Sequence, residues 1–295
     1  MENLIVKAKA LVEALPYIQK FRNAIVVVKF GGSAMENPEL IKSTMRDVVL
    51  MECIGMRPVI VHGGGKAITA ELTRRNIETK FVNGLRHTCA ETIKVVDEVL
   101  HNVINRNLIE EAALAGGKAV PISGKEILKC ERMYSKDPAT GEKLDIGFVG
   151  DIVGVDIDKI ADAVKNNIIP VIPPLGVGKD GQVYNINADI AACKIAEALK
   201  ARKLVFLSDV PGILRDPKDE STLIPTICTT EVEKLIADKV ISGGMIPKIM
   251  SSLHALEAGT SKVHMIDGRV QHSLLLEIFT DSGIGTQIVK PESAV

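Results

Sequence analysis

The stretch Arg57-Pro-Val-Ile-Val-His62-Gly63-Gly64-Gly65-Lys66 decides how the rest of the chain is interpreted. Its segment Val59 to Val61 is a short apolar run, which favours a buried strand of a parallel sheet. Three glycines follow at once, and residues 67–72 then begin an amphipathic helix. A strand, a glycine turn and a helix place free backbone N–H groups and a helix N-terminus around an anion. We therefore expect an anion to bind on the bare backbone of residues 63–65.

The composition of the 295-residue chain excludes several classes of protein. A formal net charge of −1, no tryptophan and 3% aromatic residues argue against a nucleic-acid binder. No apolar run approaches the ~20 residues of a membrane span, and the N-terminus has no basic segment before an apolar one. We therefore expect neither a membrane anchor nor a signal peptide. Five dispersed cysteines predict reduced thiols and a cytoplasmic protein.

Alternating strand and helix patterns predict a doubly wound, mostly parallel α/β sheet. The predicted strands cover 24–28, 59–61, 168–172, 203–207, 263–266 and 285–289, and the predicted helices cover 38–52, 90–115, 190–201, 230–239, 245–258 and 273–279. Short alternating runs predict an antiparallel hairpin region over 118–156 and a further hairpin over 177–183. We expect a boundary between two lobes near 175–200.

An amphipathic helix is predicted for residues 3–22, before the first strand. Its apolar positions include Leu4, Leu11 and Leu15, and Pro16 is expected to kink the helix or to restart it. A helix in this place is either an oligomerisation arm or an extra helix packed on its own domain. The sequence leaves both interpretations open.

Four familiar motifs fail in this chain. A Walker A loop requires G-x-x-x-x-G-K-[ST], and every Gly-Lys pair lacks the first glycine, which is replaced by Ile60, Ala112, Ala119 or Pro173. Ile68 stands at the third glycine of a dinucleotide fingerprint. An esterase needs a G-x-S-x-G elbow, and a catalytic zinc is often held by H-E-x-x-H. Neither pattern is present in the sequence, so we assign no metal ligand.

Two lysines and an aspartate remain as candidates for phosphate chemistry. Lys29 ends the first strand just before two glycines, where a lysine is well placed to hold phosphate; a solvated strand-end lysine is the plainer alternative. Lys248 follows Gly243-Gly244 by about one helical turn. Asp189 precedes an apolar helix, either as its N-cap or as a carboxylate that holds both lysines in place.

Three further polar residues lie next to turns. Ser208 and Asp209 end a strand, where they would contact a nucleotide, although a turn-forming aspartate before Pro-Gly fits equally well. Arg86 follows the turn signal Asn83-Gly84. An arginine there is either an ordinary surface residue or a planar fork for the carboxylate of a small substrate.

Together these motifs resemble the acetylglutamate kinase branch of the amino-acid kinase family. In chain order they are Lys29-Phe30-Gly31-Gly32, His62-Gly63-Gly64-Gly65, Asn83-Gly84-Leu85-Arg86, Tyr184-Asn185-Ile186-Asn187-Ala188-Asp189, Leu207-Ser208-Asp209-Val210-Pro211-Gly212 and Gly243-Gly244-Met245-Ile246-Pro247-Lys248. The resemblance covers about 25–290. Carbamate and aspartate kinases share the Lys-x-Gly-Gly motif, whereas the Asn-Gly-Leu-Arg and Tyr-Asn-Ile-Asn-Ala-Asp stretches together are more specific.

This resemblance implies a three-layer α-β-α sandwich with a mostly parallel central sheet, the amino-acid kinase fold, after an N-terminal helical arm at 1–23. The kinase domain is expected at 24–295, with a substrate lobe at about 24–185 and a nucleotide lobe at about 186–295. The implied reaction uses ATP and Mg²⁺ to phosphorylate the γ-carboxylate of N-acetyl-L-glutamate in arginine biosynthesis. We expect Mg²⁺ to be held mainly by phosphate oxygens and water.

The resemblance also implies a role for each candidate residue. Lys29 and Lys248 would stabilise the transferring phosphoryl group, and Asp189 would orient both lysines. The remaining roles are backbone donors to the phosphates at Gly31, Gly32 and Gly64, acceptor binding at Gly64, Gly65, Arg86 and Asn185, and nucleotide binding at Ser208 and Asp209.

Family members with a helix like residues 3–22 form an arginine-inhibited, hexameric branch. The resemblance therefore implies L-arginine as an effector and a homo-oligomer, a hexamer built through the N-terminal helix. The segment 277–286 resembles the one that binds arginine in that branch. Glu277 would pair with the guanidinium, with Tyr17 and Gly285 nearby; ordinary packing is the plainer alternative at these positions.

Two other functions remain open on the sequence. A kinase of a related carboxylate, acetylaminoadipate or aspartate, has an acceptor that differs by one or two methylenes, and one methylene discriminates by only ~1–3 kcal/mol. A non-catalytic amino-acid sensor would keep the same fold. Such a sensor has no need of Lys29, Lys248 and Asp189 together, which favours an enzyme.

Overall fold

The computed structural model describes residues 2–137, 140–280 and 283–293. Its strands are β1 (Ile25–Phe30), β2 (Arg57–His62), β3 (Phe81–Val82), β4 (Leu85–Arg86), β5 (Ala119–Pro121), β6 (Leu128–Lys136), β7 (Lys143–Val155), β8 (Ile169–Ile172), β9 (Leu175–Gly178), β10 (Val183–Asn185), β11 (Lys203–Ser208), β12 (Thr226–Cys228), β13 (Lys262–Asp267) and β14 (Thr286–Val289). Its helices are α1 (Glu2–Phe21), α2 (Pro38–Cys53), α3 (Gly65–Arg74), α4 (Ala90–Glu98), α5 (Arg106–Leu114), α6 (Gly124–Ile127), α7 (Asp158–Lys165), α8 (Ala188–Ala198), α9 (Val232–Ala237), α10 (Met245–Glu257) and α11 (Ser273–Ile278). A π-helical segment, Val99–Asn105, joins α4 to α5.

An eight-stranded sheet forms the centre of the fold, in the order β12-β14-β13-β11-β1-β2-β8-β5. Its strands pair in parallel, except that β13 and β14 are antiparallel. Lys29 of β1 is in register with Val61 of β2 and with Phe206 of β11. The carboxyl ends of these three strands therefore meet at one edge of the sheet.

Helices cover both faces of the sheet. Alternate residues of a strand point to opposite faces, and in β1 Val27 joins a core with α8 residues such as Ala192, whereas Val28 joins a core with α2 residues such as Met45. All four side chains are completely or almost completely buried. The three-layer α-β-α sandwich with a mostly parallel sheet is confirmed.

A smaller closed barrel, in the order β10-β7-β6-β9, stands beside the sheet. The pairs β6–β7 and β9–β10 are antiparallel, as the two predicted hairpins require. The run 119–122, however, was predicted in the hairpin region, and this prediction is wrong. Ala119–Pro121 pairs in parallel with β8 at the edge of the central sheet. A run of this length does not indicate whether the strand belongs to a hairpin or to the central sheet.

Two helices also differ from prediction. The N-terminal helix is continuous from Glu2 to Phe21, so the expected restart at Pro16 is wrong. Pro16 removes one backbone N–H, and the carbonyl that loses this donor belongs to Val12, which is exposed, so the missing hydrogen bond does not interrupt the helix. The helix predicted for 90–115 occupies that range, but Val99–Asn105 interrupts it with π geometry.

The predicted lobes share the central sheet. Strand β1 belongs to the range 24–185 and β11 to the range 186–295, yet the two pair directly. The division into a substrate lobe and a nucleotide lobe stays a prediction.

Within the described ranges, no helix is both long enough and apolar enough to cross a membrane.

Candidate active site

A cavity of about 250 Å³ opens at the carboxyl ends of β1 and β2. This is the edge at which open α/β sheets bind ligands. Among its lining residues are Lys29, Gly31, Gly32, Gly64, Gly65, Arg86, Asn185 and Asp189. The fold thus brings most of the predicted catalytic and binding residues around one space, although the set extends along the chain from Lys29 to Asp189.

Asp189 lies between the two predicted lysines. Its Oδ1 is 3.0 Å from Lys29 Nζ, and its Oδ2 is 3.4 Å from Lys248 Nζ. The three side chains are only 11% (Lys29), 18% (Lys248) and 20% (Asp189) exposed. Burial raises the pKa of Asp189, but the two ammonium groups outweigh burial and hold that pKa below its ordinary value. The trio carries one net positive charge, which suits a group that gains negative charge during a reaction.

The N-terminus of α8 fixes Asp189 in this position. The side-chain oxygen of Asn187 accepts hydrogen bonds from the N–H groups of Asp189 (2.8 Å) and Ile190 (3.2 Å), so Asn187 is the N-cap. The alternative that Asp189 caps the helix is therefore wrong. Because Asn187 takes that role, the Asp189 carboxylate is left to pair with both lysines. Asn187 belongs to one of the sequence motifs, but the capping role was not predicted for it, although an asparagine just before an apolar helix is a recognisable capping signal.

Asp209 closes the glycine turn after β1. Its Oδ1 accepts hydrogen bonds from the backbone N–H and from the hydroxyl of Ser33, both at 2.7 Å. Gly32 has a φ of +71°, and a Cβ added there would lie 2.4 Å from the same oxygen, so the turn requires glycine. Burial raises the pKa of Asp209, but the Ser33 hydrogen bonds hold the net pKa below its ordinary value. Asp209 supports the glycine turn after β1, while a nucleotide contact of Ser208 and Asp209 stays a prediction.

Arg86 is buried rather than at the surface, with 8% of the residue exposed. Its Nη2 donates to the Gly65 carbonyl and to the Thr69 hydroxyl, each at 2.8 Å. The guanidinium carbon lies 4.8 Å from the centre of the Phe81 ring. Nη1 is buried and has no hydrogen-bond partner among the described residues. Since an unpaired buried donor is unfavourable, one side of the guanidinium is suited to an anionic ligand in the cavity.

Asn185 is linked to Arg86 through a residue that sequence reasoning missed. The Asn185 amide donates to the Thr88 hydroxyl at 3.2 Å, and this hydroxyl donates to the Arg86 carbonyl at 2.9 Å. Thr88 is fully buried. A lone threonine after a hairpin carries no sequence signal for such a role.

Comparison with known proteins decides the family of the chain. A model of the amino acid kinase family matches residues 24–267. The chain belongs to this family. It is similar to the acetylglutamate kinase of Akkermansia muciniphila, with 48% identity over 98% of this chain and 97% of that protein. The acetylglutamate kinase of Caldanaerobacter subterraneus is 50% identical over 97% of this chain and 94% of its own length.

Solved structures share the architecture of this chain. The N-acetylglutamate synthase of Neisseria gonorrhoeae, complexed with coenzyme A and N-acetyl-glutamate, superposes with a TM-score of 0.84 at 25% identity. The match covers 96% of this chain but only 63% of the synthase chain. The same synthase complexed with coenzyme A and L-arginine gives a TM-score of 0.79 at 26% identity, over 96% of this chain and 65% of that one.

The predicted effector residues meet at a second cavity, of about 330 Å³. Tyr17, Glu277 and Gly285 all line it. Glu277 is 6% exposed, and its Oε1 lies 2.5 Å from His264 Nδ1 while its Oε2 accepts a hydrogen bond from the Ile284 N–H at 2.8 Å. Burial raises the pKa of Glu277, but its bonds and the charges around it hold the net pKa below the ordinary value. A fixed carboxylate therefore lies at this cavity.

His62, the residue before the three glycines, is fully buried at the end of β2. Its Nδ1 lies 2.9 Å from the Gly63 carbonyl, and its Nε2 lies 3.1 Å from the side-chain nitrogen of Asn105. Burial lowers the pKa of His62 to about 4. The imidazole is therefore neutral at physiological pH.

This buried imidazole predicts a pH dependence of stability. An unfolded histidine has a pKa of about 6.5, so between that pH and about 4 the unfolded chain binds a proton that the folded protein excludes. The stability contribution is complete above pH 6.5, and the free energy of unfolding should fall by up to ~1.4 kcal/mol per pH unit as the pH decreases through this window. Urea unfolding of the wild type and of His62→Asn at several pH values from 4.5 to 7 measures the difference. Parallel profiles for the two proteins would contradict the prediction.

Proposed function

We propose that this protein is an acetylglutamate kinase, which transfers the γ-phosphoryl group of ATP to the γ-carboxylate of N-acetyl-L-glutamate in arginine biosynthesis. The observation that carries the proposal is the Asp189 carboxylate held between Lys29 and Lys248, beside two glycine turns at one cavity. The similarity to acetylglutamate kinases over nearly the whole chain supports the choice of acceptor. We place the enzyme in the cytoplasm, as its dispersed cysteines predict.

The acceptor needs no general base. A glutamate-type carboxyl has a pKa of about 4.3, so the γ-carboxylate is ionised at neutral pH. One of its oxygens forms a bond to the γ-phosphorus, the bond from that phosphorus to the β,γ-bridging oxygen breaks, and ADP leaves with the electron pair. The products are ADP and N-acetyl-L-glutamyl 5-phosphate. The barrier is the approach of an anion to a triphosphate, so catalysis depends on positioning and charge neutralisation.

The residues around the cavity supply these two effects. Lys29 and Lys248 place positive charge at the transferring group, and Asp189 keeps the two ammonium groups apart in fixed positions. Backbone N–H groups of the turns at 31–32 and 63–65 add donors without side-chain reorganisation. Within the described ranges, no cluster of three or more His, Cys, Asp or Glu side chains is arranged to hold a metal ion. Mg²⁺ enters in this proposal as MgATP, bound by phosphate oxygens and water.

Arg86 and Asn185 orient the acceptor. The unpaired Nη1 of Arg86 takes the carboxylate of N-acetyl-L-glutamate that does not react, because a guanidinium fork matches a carboxylate. Asn185, fixed by Thr88, offers an amide beside it. The acceptor is thereby held with its second carboxylate toward the lysines.

The proposal is tested by trapping the acyl phosphate with hydroxylamine while ADP release from MgATP is followed. Hydroxamate formed from N-acetyl-L-glutamate, with one ADP for each hydroxamate, supports the proposed reaction. Reaction with acetylaminoadipate or aspartate in place of N-acetyl-L-glutamate would assign the chain to a sister kinase. Absence of reaction with all three acceptors would contradict the kinase proposal.

For the second cavity we propose L-arginine as an inhibitory ligand. Glu277 is the carboxylate for its guanidinium, and Lys20, Lys203 and Lys262 also line the cavity and complement its α-carboxylate. Tyr17 links the cavity to α1, since its ring packs edge-on against Phe279 at 6.3 Å. The synthase that binds L-arginine in its crystal structure supports the choice of ligand.

Replacing Glu277 with glutamine should raise the arginine concentration that halves the rate by about tenfold or more, because a hydrogen bond to a charged group contributes ~1.5–3 kcal/mol. Each variant is compared with its own rate without arginine. Glu257→Gln is the matched control, since Glu257 is an exposed residue of α10. Equal shifts for both variants, or none for Glu277→Gln, would contradict this assignment.

We also propose that α1 mediates assembly, up to a hexamer. Leu4, Leu11 and Val12, which lie on one face of α1, are 63–74% exposed, whereas Phe21 at its end is buried. An apolar helix face left in solvent is typical of an oligomer contact. Light scattering of the wild type and of the double variant Leu11→Lys, Val12→Lys tests this proposal, and an unchanged mass would refute it.

A further inference from the structure

The glycine turn at 63–65 rests on a buried pair of polar side chains, His62 and Asn105. Both are almost completely inaccessible, with 0% and 1% exposed. The Asn105 side-chain nitrogen lies 2.9 Å from the Val171 carbonyl and 3.1 Å from His62 Nε2. The other ring nitrogen, Nδ1, lies 2.9 Å from the carbonyl of Gly63. The two residues thus form a chain of contacts from β8 to the backbone of the turn.

These contacts determine where the imidazole carries its proton. A side-chain amide nitrogen has two hydrogens and donates only. One hydrogen of Asn105 meets the Val171 carbonyl, so the other meets His62 Nε2, which must accept. A neutral imidazole with an accepting Nε2 carries its proton on Nδ1. His62 Nδ1 therefore donates to the Gly63 carbonyl.

The position of that carbonyl determines the direction of the next N–H group. The peptide between Gly63 and Gly64 is trans and planar, so its C=O and N–H groups point in opposite directions. Because the Gly63 oxygen faces the buried His62, the Gly64 N–H faces away from it. Gly63, Gly64 and Gly65 line the cavity that also holds Lys29. The hydrogen bond from His62 thus aims one backbone donor away from the core.

The π-helical segment explains how Asn105 reaches His62. In π geometry, residues five apart are about one turn apart, so Leu100 and Asn105 share a face; in an α-helix they would differ by about 140°. The same face contacts the turn directly. A Cβ on Gly64 would lie 2.5 Å from Ile104 Cδ1 and 2.7 Å from Leu100 Cδ2. One segment therefore fixes both the position and the orientation of the turn.

We propose that His62 and Asn105 are positioning residues, which hold the Gly63–Gly64 peptide so that the Gly64 N–H donates to the phosphoryl group in the transition state. This inference rests on the proposed kinase function and goes beyond it, since neither residue touches a substrate. The negative charge on the transferring oxygens changes in the transition state, and a donor aimed at that position binds the transition state more strongly than the bound substrate. Its contribution is therefore expected in kcat rather than in substrate binding.

Three variants test the proposal, with MgATP and N-acetyl-L-glutamate as substrates. His62→Leu removes the donor to Gly63 and should lower kcat about 100-fold, the effect of losing one oriented donor, with less than threefold changes in both KM values. His62→Asn keeps an N–H near the place of Nδ1 and should recover at least tenfold of that loss. Asn105→Leu keeps the imidazole of His62 but removes the amide that makes Nε2 an acceptor, so the ring proton can occupy either nitrogen. This variant should lower kcat about tenfold. Asn102→Leu, an exposed position of the same π segment, is the matched control and should leave kcat unchanged.

Two measurements separate positioning from a structural role. Nitrogen-15 NMR of the ring should show the His62 proton on Nδ1 in the wild type and a mixture of tautomers in Asn105→Leu. Affinity for ADP with aluminium fluoride and N-acetyl-L-glutamate, which imitate the transition state, should fall in proportion to kcat, while AMP-PNP affinity stays within threefold.

The failure of the proposed function and the failure of this inference give different results. A wild type that is inactive with N-acetyl-L-glutamate refutes the proposed function. If the wild type is active but carries the His62 proton on Nε2, and Asn105→Leu and His62→Asn keep full kcat, the inference alone is refuted. Equal losses in kcat and in AMP-PNP affinity would also overturn it, because they indicate a distorted site. If His62→Leu does not fold, the other two variants and the ring spectrum still decide.

Discussion

Replacing Lys29 with methionine should lower kcat about 1,000-fold, with a small change in the KM of either substrate. Methionine keeps most of the length of the side chain but removes the ammonium group that lies 3.0 Å from Asp189. Without that charge, the trio of Lys29, Asp189 and Lys248 becomes neutral at the place where the phosphoryl group transfers. Loss of a transition-state charge partner costs ~10²–10⁵ in rate in comparable sites. Steady-state kinetics with the hydroxylamine trap measures the effect.

A matched control distinguishes this loss from a general effect of removing a lysine. Lys194, on the same helix as Asp189, forms a pair with Glu197 at 3.0 Å and is 37% exposed. Lys194→Met should change kcat less than threefold, because a surface ion pair contributes little. Similar losses in the two variants would show that the ammonium of Lys29 has no special role. Equal unfolding midpoints are required for the comparison.

The shared carboxylate adds a second, non-additive result. Asp189→Asn should lower kcat strongly, because it removes the anion that holds Lys29 and Lys248 in position. In the Lys29→Met variant, however, Lys248 is the one lysine of the trio that Asp189 still positions. The double variant should therefore be less impaired than the product of the single effects, as expected for residues in direct contact. Simple multiplication of the two losses would argue that Asp189 acts independently of Lys29.

Much of this site could be predicted because ligands of open α/β sheets bind at the carboxyl ends of the strands. The sequence places Lys29 at the end of one apolar run and the glycine turn at the end of another, and parallel pairing brings the two ends to one edge. In the structure Lys29 lies in register with Val61. Asn83-Gly84 predicted a turn, and the structure has a hairpin there. These features depend on local pattern.

Other parts depended on tertiary contacts that leave no local pattern. The π segment could not be predicted, because the apolar pattern over 90–115 is typical of a single α-helix. A turn that contains one extra residue has no distinctive amino-acid composition. Asp209 was interpreted as a nucleotide contact or a turn former, yet its carboxylate binds Ser33, 176 positions away. Thr88 and Asn105 likewise act through partners distant in sequence. Such residues are found only when the fold brings their partners together.

Arg86→Lys should raise the KM for N-acetyl-L-glutamate about 30- to 100-fold, with a change in kcat below fivefold and no change in the KM for MgATP. Lysine keeps the positive charge but cannot replace the hydrogen bonds that two different nitrogens of the guanidinium make. In the structure Nη2 is occupied by the Gly65 carbonyl and the Thr69 hydroxyl, whereas Nη1 has no hydrogen-bond partner among the described residues and is available for the proposed acceptor. The donors of a lysine lie on one nitrogen and cannot reproduce the separate positions of Nη1 and Nη2. The variant therefore loses a contact to the acceptor that is equally strong in the ground state and in the transition state, which raises KM and leaves kcat nearly unchanged.

The matched control is Arg74→Lys, because Arg74 lies on the exposed side of α3 and pairs with Glu71 at 2.6 Å. This variant should leave all kinetic constants within twofold. A fall in kcat at constant KM for Arg86→Lys would contradict the assignment, since it would place the guanidinium on the reacting group rather than on the distant carboxylate. The predicted result therefore separates the proposed role of Arg86 in binding the acceptor from the proposed role of Lys29 and Lys248 in stabilising the group being transferred.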